Sequence, residues 1–489
     1  MHSLIRKTYS TQQPINNNQK KSETNPNTII MKKIILMPAF AVVSILANAQ
    51  TSPAITSWLQ NNTIMGRHYV TGNMTPIQDN VLANVQTVQY SANFAYATTN
   101  GIPAYISGPF RDGNPSQATD QNAIFKIPLV PVPNTSGTFT ATSGGNIGVF
   151  INGVAMFDYR DGVAWNTTTN ALCGGPGNPQ CPGGMGATQA WNRDAIPAEM
   201  AGFDCSKAHP AMGNYHHHQN PSAFSLDQNV VSIVCDSFPA DGLYAINSSQ
   251  HSPLLGFAYD GYPVYGAYGY LNTDGTGGIT RMKSSYLLRN ITVRTHHADG
   301  TDVADGPAVA GTYFLGYFRE DYEYIATSPS TPDYLDEHNG RFCVTPEYPN
   351  GTYCYFTTVK ENWNSAYPYI VGPTYYGVYA NRKVTSITET VTTYIPSTSG
   401  IEDNNINNLT VSLYPNPASE FVAVQLGSLV KENVLIELYD ITGKLMQKST
   451  VKQGSTLTYF DTRTLYAGEY IVRIYTNTEV ISKKLSVIK

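Results

Sequence analysis

Ten histidines occur in the 489-residue chain, and five of them fall between Cys205 and Tyr265. His209 is followed by Tyr215-His216-His217-His218, then by His251, then by Asp260 within Tyr259-Asp260-Gly261-Tyr262-Pro263. Neutral imidazole is a ligand for transition ions, and its ordinary pKa leaves most of it neutral near pH 7. If 215–218 is extended, side-chain alternation places His216 and His218 on one face and His217 on the other. Two imidazoles so placed can share an ion, with His209 or His251 as a third ligand. Copper and zinc both suit such a set. Asp260, Tyr215, Glu320, and His338 beside Asp336 are the groups available to orient ligands from behind. The competing reading is a half-buried strand whose histidines are hydrogen-bonded to tyrosine hydroxyls and backbone.

No motif of known mechanism accompanies these residues. There is no His-Glu-x-x-His, no Gly-x-Ser-x-Gly and no phosphate loop, and no nucleotide cofactor is expected. Three functions therefore compete. The first is a secreted module that binds a transition metal. The second is a metal-dependent extracellular hydrolase or oxidoreductase, with Asp260 or Glu320 as base. The third is a structural or adhesive surface protein with a buried His/Tyr network.

The elements that must position these groups read as strands. Charged residues make up only 13% of the chain, while 34 tyrosines and 70 glycines and prolines together favour sheets and turns. The fold class is mainly β, a large β-rich central domain followed by a small C-terminal β-sandwich. The clearest hairpin is 147–157, where Asn152-Gly153 suits a two-residue turn. A short helix is expected near 191–200, capped by Asp194 and limited by Pro197. All six cysteines lie between 173 and 354. In an exported protein they are expected to be oxidised, with Cys173 and Cys181 closing a Gly/Pro loop. A hairpin centred on Asn350-Gly351 would leave Cys343 and Cys354 four positions out of register, beyond disulfide reach. Either that register differs, or these two pair elsewhere, with Cys205 and Cys235 as candidates.

Residues 31–49 read as a secretory signal, with Lys32 and Lys33, an apolar run, and Ala47-Asn48-Ala49 before cleavage near Gln50. Residues 1–30 then read as an upstream mis-start or a disordered leader. No transmembrane helix is expected after signal removal. Beyond residue 50 the chain carries 24 Lys and Arg against 34 Asp and Glu, which excludes a nucleic-acid partner on charge. A central domain over 50–395 is followed by a polar linker, 396–408, and by short alternating strands over 409–489.

In motif order the central region, about 60–380, resembles the YHYH family, named for a Tyr-His-Tyr-His motif. The resemblance rests on Asn152-Gly153-Val154, Cys205 with His209-Pro210, Tyr215 to His218, and His251 to Gly256 running into Asp260-Gly261-Tyr262-Pro263. It extends to Leu315-Gly316-Tyr317 with Glu320-Asp321, and to 336–353. The third position of the name motif is His217 instead of Tyr, so any role of that hydroxyl does not transfer. The resemblance favours His216, His218, His251 and Asp260 as the site and implies no particular activity. The tail resembles the type A sorting domain of the type IX secretion system, through Tyr414-Pro415-Asn416-Pro417, Leu438-Tyr439-Asp440, Ala467-Gly468-Glu469-Tyr470 and Lys483-Lys484-Leu485. It implies the type IX secretion machinery as partner and a secreted or cell-surface location. The ligand or substrate is left open.

Overall fold

Runs of Val, Ile, Tyr and Thr broken by Gly, Asn and Pro build sheets through most of the chain, and the fold is mainly β. The computed structural model describes residues 52–111, 117–184, 189–227, 232–396, 411–426, 430, 432–476 and 480–489. The leader 1–30, the signal 31–49 and the linker beyond residue 396 lie outside the described residues.

One eight-stranded mixed sheet carries the histidines. Its strands are β1 (Asn146–Phe150), β2 (Ala155–Phe157), β3 (His209–Ala211), β4 (Asn214–His217), β5 (Leu254–Ala258), β6 (Pro263–Tyr265), β7 (Gly340–Cys343) and β8 (Thr352–Phe356). Across the sheet they run β3-β4-β2-β1-β5-β6-β8-β7. The steps β4-β2 and β6-β8 are parallel and the rest antiparallel. β5 lies near the middle and is buried along its whole length, which is why it reads as an unbroken apolar run instead of an alternating one. A Cβ at Gly256 would stand 2.3 Å from the Val149 carbonyl oxygen, so only glycine lets β5 lie this close to β1.

The β1–β2 hairpin forms, but its turn differs from the two-residue one expected. The Phe150 amide donates to the Val154 carbonyl and the Gly153 amide to that of Phe150, closing a three-residue loop. Within that loop Gly153, at φ 80°, takes the positive φ, and Asn152 is not among the positive-φ residues. The Asn152 side chain instead accepts from the Val154 amide. A second sheet of five strands is built from 85–90, 94–99 and 123–128, and the chain returns to it through 383–384 and 392–394.

Cys173 bonds to Cys181, as the loop suggested, and Cys205 bonds to Cys235. Cys205 and Cys235 therefore are not partners for Cys343 and Cys354, which carry free thiols. The β7–β8 register also differs from an Asn350-Gly351 hairpin: Cys343 faces Thr352 across an eight-residue loop, and Arg341 faces Cys354.

The tail places 411–414, 421–426 and 457–461 in one sheet and 434–440, 445–451, 468–475 and 480–487 in another. Val422, Val424, Ile436, Leu438, Val472, Ile474 and Leu485 fill a core of its own. The strand Leu445–Val451 escapes a sequence reading because its middle, Gln447-Lys448-Ser449, is polar. Among the described residues no helix is long and apolar enough to cross a membrane.

Candidate metal centre

The centre begins with a tight hairpin. β3 and β4 are joined by Met212-Gly213, both at positive φ (48° and 84°), the mirror-image turn that matches strand twist. This turn fixes the register, and His209 comes to lie directly opposite His216. Directly opposed residues point to the same face, so the pairing adds His209 to the face that alternation gives His216 and His218. The three ring centroids are 4.7, 4.8 and 5.8 Å apart. One ring nitrogen from each histidine lies within 4.8 Å of the other two, and all three residues are buried.

The protons of two rings can be assigned from their partners. His216 Nδ1 is 2.8 Å from the Asn214 carbonyl oxygen, and His218 Nδ1 contacts the Asp158 carbonyl oxygen. A carbonyl oxygen only accepts, so each Nδ1 carries the hydrogen and each Nε2 of a neutral ring presents a lone pair. These two Nε2 atoms face each other at 3.0 Å. Two lone pairs at that distance repel unless a cation lies between them, and a shared proton or a metal ion would satisfy both. The proton is disfavoured, because burial and then the neighbouring His218 and His209 hold His216 well below the usual imidazole range. Burial lowers His218 as well, against an opposing pull from Glu199.

Glu199 is the residue that sequence reasoning missed. It ends the helix α1 (Ala195–Glu199), whose start is fixed by Asp194 accepting from the Ile196 amide at 2.9 Å. Its Oε2 is 3.3 Å from His209 Nε2 and 3.4 Å from His218 Nε2, and no other polar atom partners this buried oxygen. Four donors around a tetrahedral zinc at 2.0–2.2 Å lie about 3.3–3.5 Å from one another. Three of the separations, 3.0, 3.3 and 3.4 Å, fall close to that edge length. Phe157 stacks on His216 at 3.6 Å, and Phe203 packs its edge against His209 at 4.9 Å, so apolar rings wall the cluster. The three histidines could therefore hold a metal ion, with the Glu199 carboxylate beside two of them.

His217 points the other way, as alternation requires. Its Nε2 meets the Tyr105 hydroxyl at 2.7 Å, its ring packs on Phe150 at 5.3 Å, and burial lowers its pKa to about 3. The remaining candidates stand apart from the trio. His251 donates from Nδ1 to the Ser252 carbonyl at 2.7 Å and packs between Tyr265 and Tyr270. Asp260 accepts from the Tyr355 hydroxyl at 2.6 Å and the Gly377 amide at 2.8 Å. Tyr215 donates to Asp204 at 2.7 Å. His338 bonds Thr374 Oγ1 at 2.8 Å, Asp336 accepts from Tyr353 at 2.8 Å, and Glu320 accepts from the Asn192 amide at 2.7 Å. None of them is grouped with His209, His216 and His218.

Two parts of the chain match known families. Residues 124–368 match the sequence model of the family described as YHYH protein, and residues 412–489 match that of the secretion system C-terminal sorting domain. No curated protein matches the sequence. Among solved structures the chain is similar to that of dimeric latent PorU from Porphyromonas gingivalis, at 24% identity and a TM-score of 0.14. That match covers 16% of this chain and 9% of the other, and it carries no argument about fold or activity.

Proposed function

Because the chain belongs to the YHYH protein family and is a secreted or cell-surface cargo of the type IX secretion machinery, we propose that its central domain is a metal-binding module. It holds one zinc ion between His209, His216, His218 and Glu199. The observation that carries this reading is the pair of Nε2 lone pairs at 3.0 Å, beside a buried carboxylate oxygen that lacks any other partner. Three imidazoles and one carboxylate supply the nitrogen and oxygen donors that zinc takes in tetrahedral sites, whereas copper(II) favours a flatter, tetragonal arrangement. With four protein donors the coordination shell is closed, which is the pattern of a holding site; catalytic zinc keeps one position for water.

Such an ion would tie the β3–β4 hairpin, at one edge of the large sheet, to the end of α1. Metal binding would then contribute directly to folding stability. The test is thermal melting of the secreted protein purified without chelator, with and without EDTA, alongside its zinc content. One zinc per chain and a lower melting temperature in EDTA are expected. A metal-free protein with a melting curve indifferent to both zinc and EDTA would leave only the hydrogen-bonded core reading.

A further inference from the structure

Four of the six cysteines are paired, and the other two stand at the far edge of the eight-stranded sheet from the histidines. Cys343 ends the edge strand β7, and Cys354 lies inside its neighbour β8. In the antiparallel register Cys343 faces Thr352 and Arg341 faces Cys354, so the two cysteines form a diagonal pair offset by two positions. A two-position offset keeps both side chains on one face of the sheet. Both residues are 0% exposed, and the Cys354 thiol donates to the Thr352 carbonyl. The Cys354 thiol and then the Arg341 guanidinium hold Cys343 below the usual thiol range, while burial pushes Cys354 well above it.

We propose that Cys343 and Cys354 are joined as a third disulfide while the protein is being exported, locking edge strand β7 to the sheet. The other four cysteines show that this chain folds as an oxidised protein, and these two have no other cysteine to meet. Diagonal neighbours lie about 7–8 Å apart at Cα, and disulfides span up to about 6.8 Å, so β7 must shift by about 1 Å. Arg341 is anchored by the Leu271, Pro332 and Tyr270 carbonyls, so the shift falls on Cys343, the last residue of the strand. β7 has four residues, is hydrogen-bonded in the sheet on one side only, and leaves Phe342 60% exposed.

The oxidant is a protein disulfide of the export compartment. Cys343 thiolate attacks one of its sulfurs, forming a mixed disulfide and releasing the second sulfur as a thiolate. Cys354, giving up its proton, then attacks the Cys343 sulfur and displaces the first. Two thiols of this chain are oxidised and one disulfide of the oxidant is reduced to two thiols. Since both cysteines end fully buried, the exchange takes place during folding, before β7 seats. The result would protect the edge of the sheet, which otherwise offers unpaired backbone groups to other chains.

Trypsin cuts after Arg341 and Lys360 and releases 342–360, which contains both cysteines and no others. Secreted protein is unfolded in guanidinium with iodoacetamide and no reductant, digested, and weighed. The proposal predicts that 342–360 carries no alkyl group and is lighter than the dithiol by two hydrogens, and that prior reduction adds two alkyl groups. One or two alkyl groups without reduction overturn it. In Cys343→Ser the same peptide should take one alkyl group without reduction. If Cys354 stays blocked in that variant, its partner is another cysteine and the proposal fails.

Discussion

His216 and His217 are adjacent, equally buried at 1% exposure, and chemically identical, yet they face opposite sides of β4. Replacing each with alanine should therefore have different consequences. Structural zinc sites bind with about 10–16 kcal/mol near pH 7, so with four donors each is worth about 2.5–4 kcal/mol. At 1.4 kcal/mol per decade, His216→Ala should weaken zinc by roughly 10²–10³-fold. His217→Ala removes no donor. It strips the Tyr105 hydroxyl of its partner at 2.7 Å and leaves a void against Phe150. An unsatisfied buried hydroxyl costs about 1–3 kcal/mol, which should appear as lost stability with the zinc affinity kept. Competition against a chromophoric chelator gives the two affinities, and urea melts in EDTA give the two stabilities. Equal weakening of zinc in both variants, or none in either, would refute the geometric argument.

Acidification should empty the site. The ligands must be neutral, and because burial holds His216 and His218 below the usual imidazole value of about 6.5, occupancy at pH 7 should persist below that value before it fails, read by zinc retained after gel filtration. His217 adds a stability term of known sign. Its folded pKa of about 3 is below the unfolded value, so its contribution is complete above about 6.5 and shrinks by about 1.4 kcal/mol per pH unit below that. Asp194, raised to about 8 by burial, acts with the opposite sign, which is why zinc retention and the wild-type minus His217→Ala difference are the quantities to follow. Replacing Cys205 and Cys235 by serine opens a loop of sequence separation 30 and should cost about 3–4 kcal/mol in a urea melt. Deleting residues 412–489 should leave the protein in the periplasm, as fractionation and blotting would show; normal surface delivery would contradict the sorting assignment.

The class of the fold was legible because period-two alternation and turn residues are local signals. So was the split of the three consecutive histidines, since alternation needs only the strand assignment. The Asp194 cap was legible for the same reason. His209 and His251 were both open as companions of His216 and His218, and the feature that brings His209 to them, the Met212-Gly213 turn, carries a signal only in its glycine. Glu199 was not legible at all. It reaches the site from a different element, ten residues before His209, and nothing about its neighbours distinguishes it from a surface carboxylate. His251 and Asp260 attracted notice by proximity in sequence, but β5 and β6 lie on the far side of β1 and β2 from the β3–β4 hairpin. The cysteine register stayed open because a favourable Asn-Gly pair marks a two-residue turn, whereas here it lies inside an eight-residue loop.

X-ray absorption at the zinc edge of the secreted protein reads both the ion and its donors. A site built from His209, His216, His218 and Glu199 should give a shell of four light donors, three nitrogen and one oxygen, at about 2.0–2.2 Å with the outer-shell pattern of imidazole. In Glu199→Ala one protein oxygen should be replaced by solvent while the three imidazoles stay. An absent zinc edge, or a sulfur shell at about 2.3 Å, would contradict it.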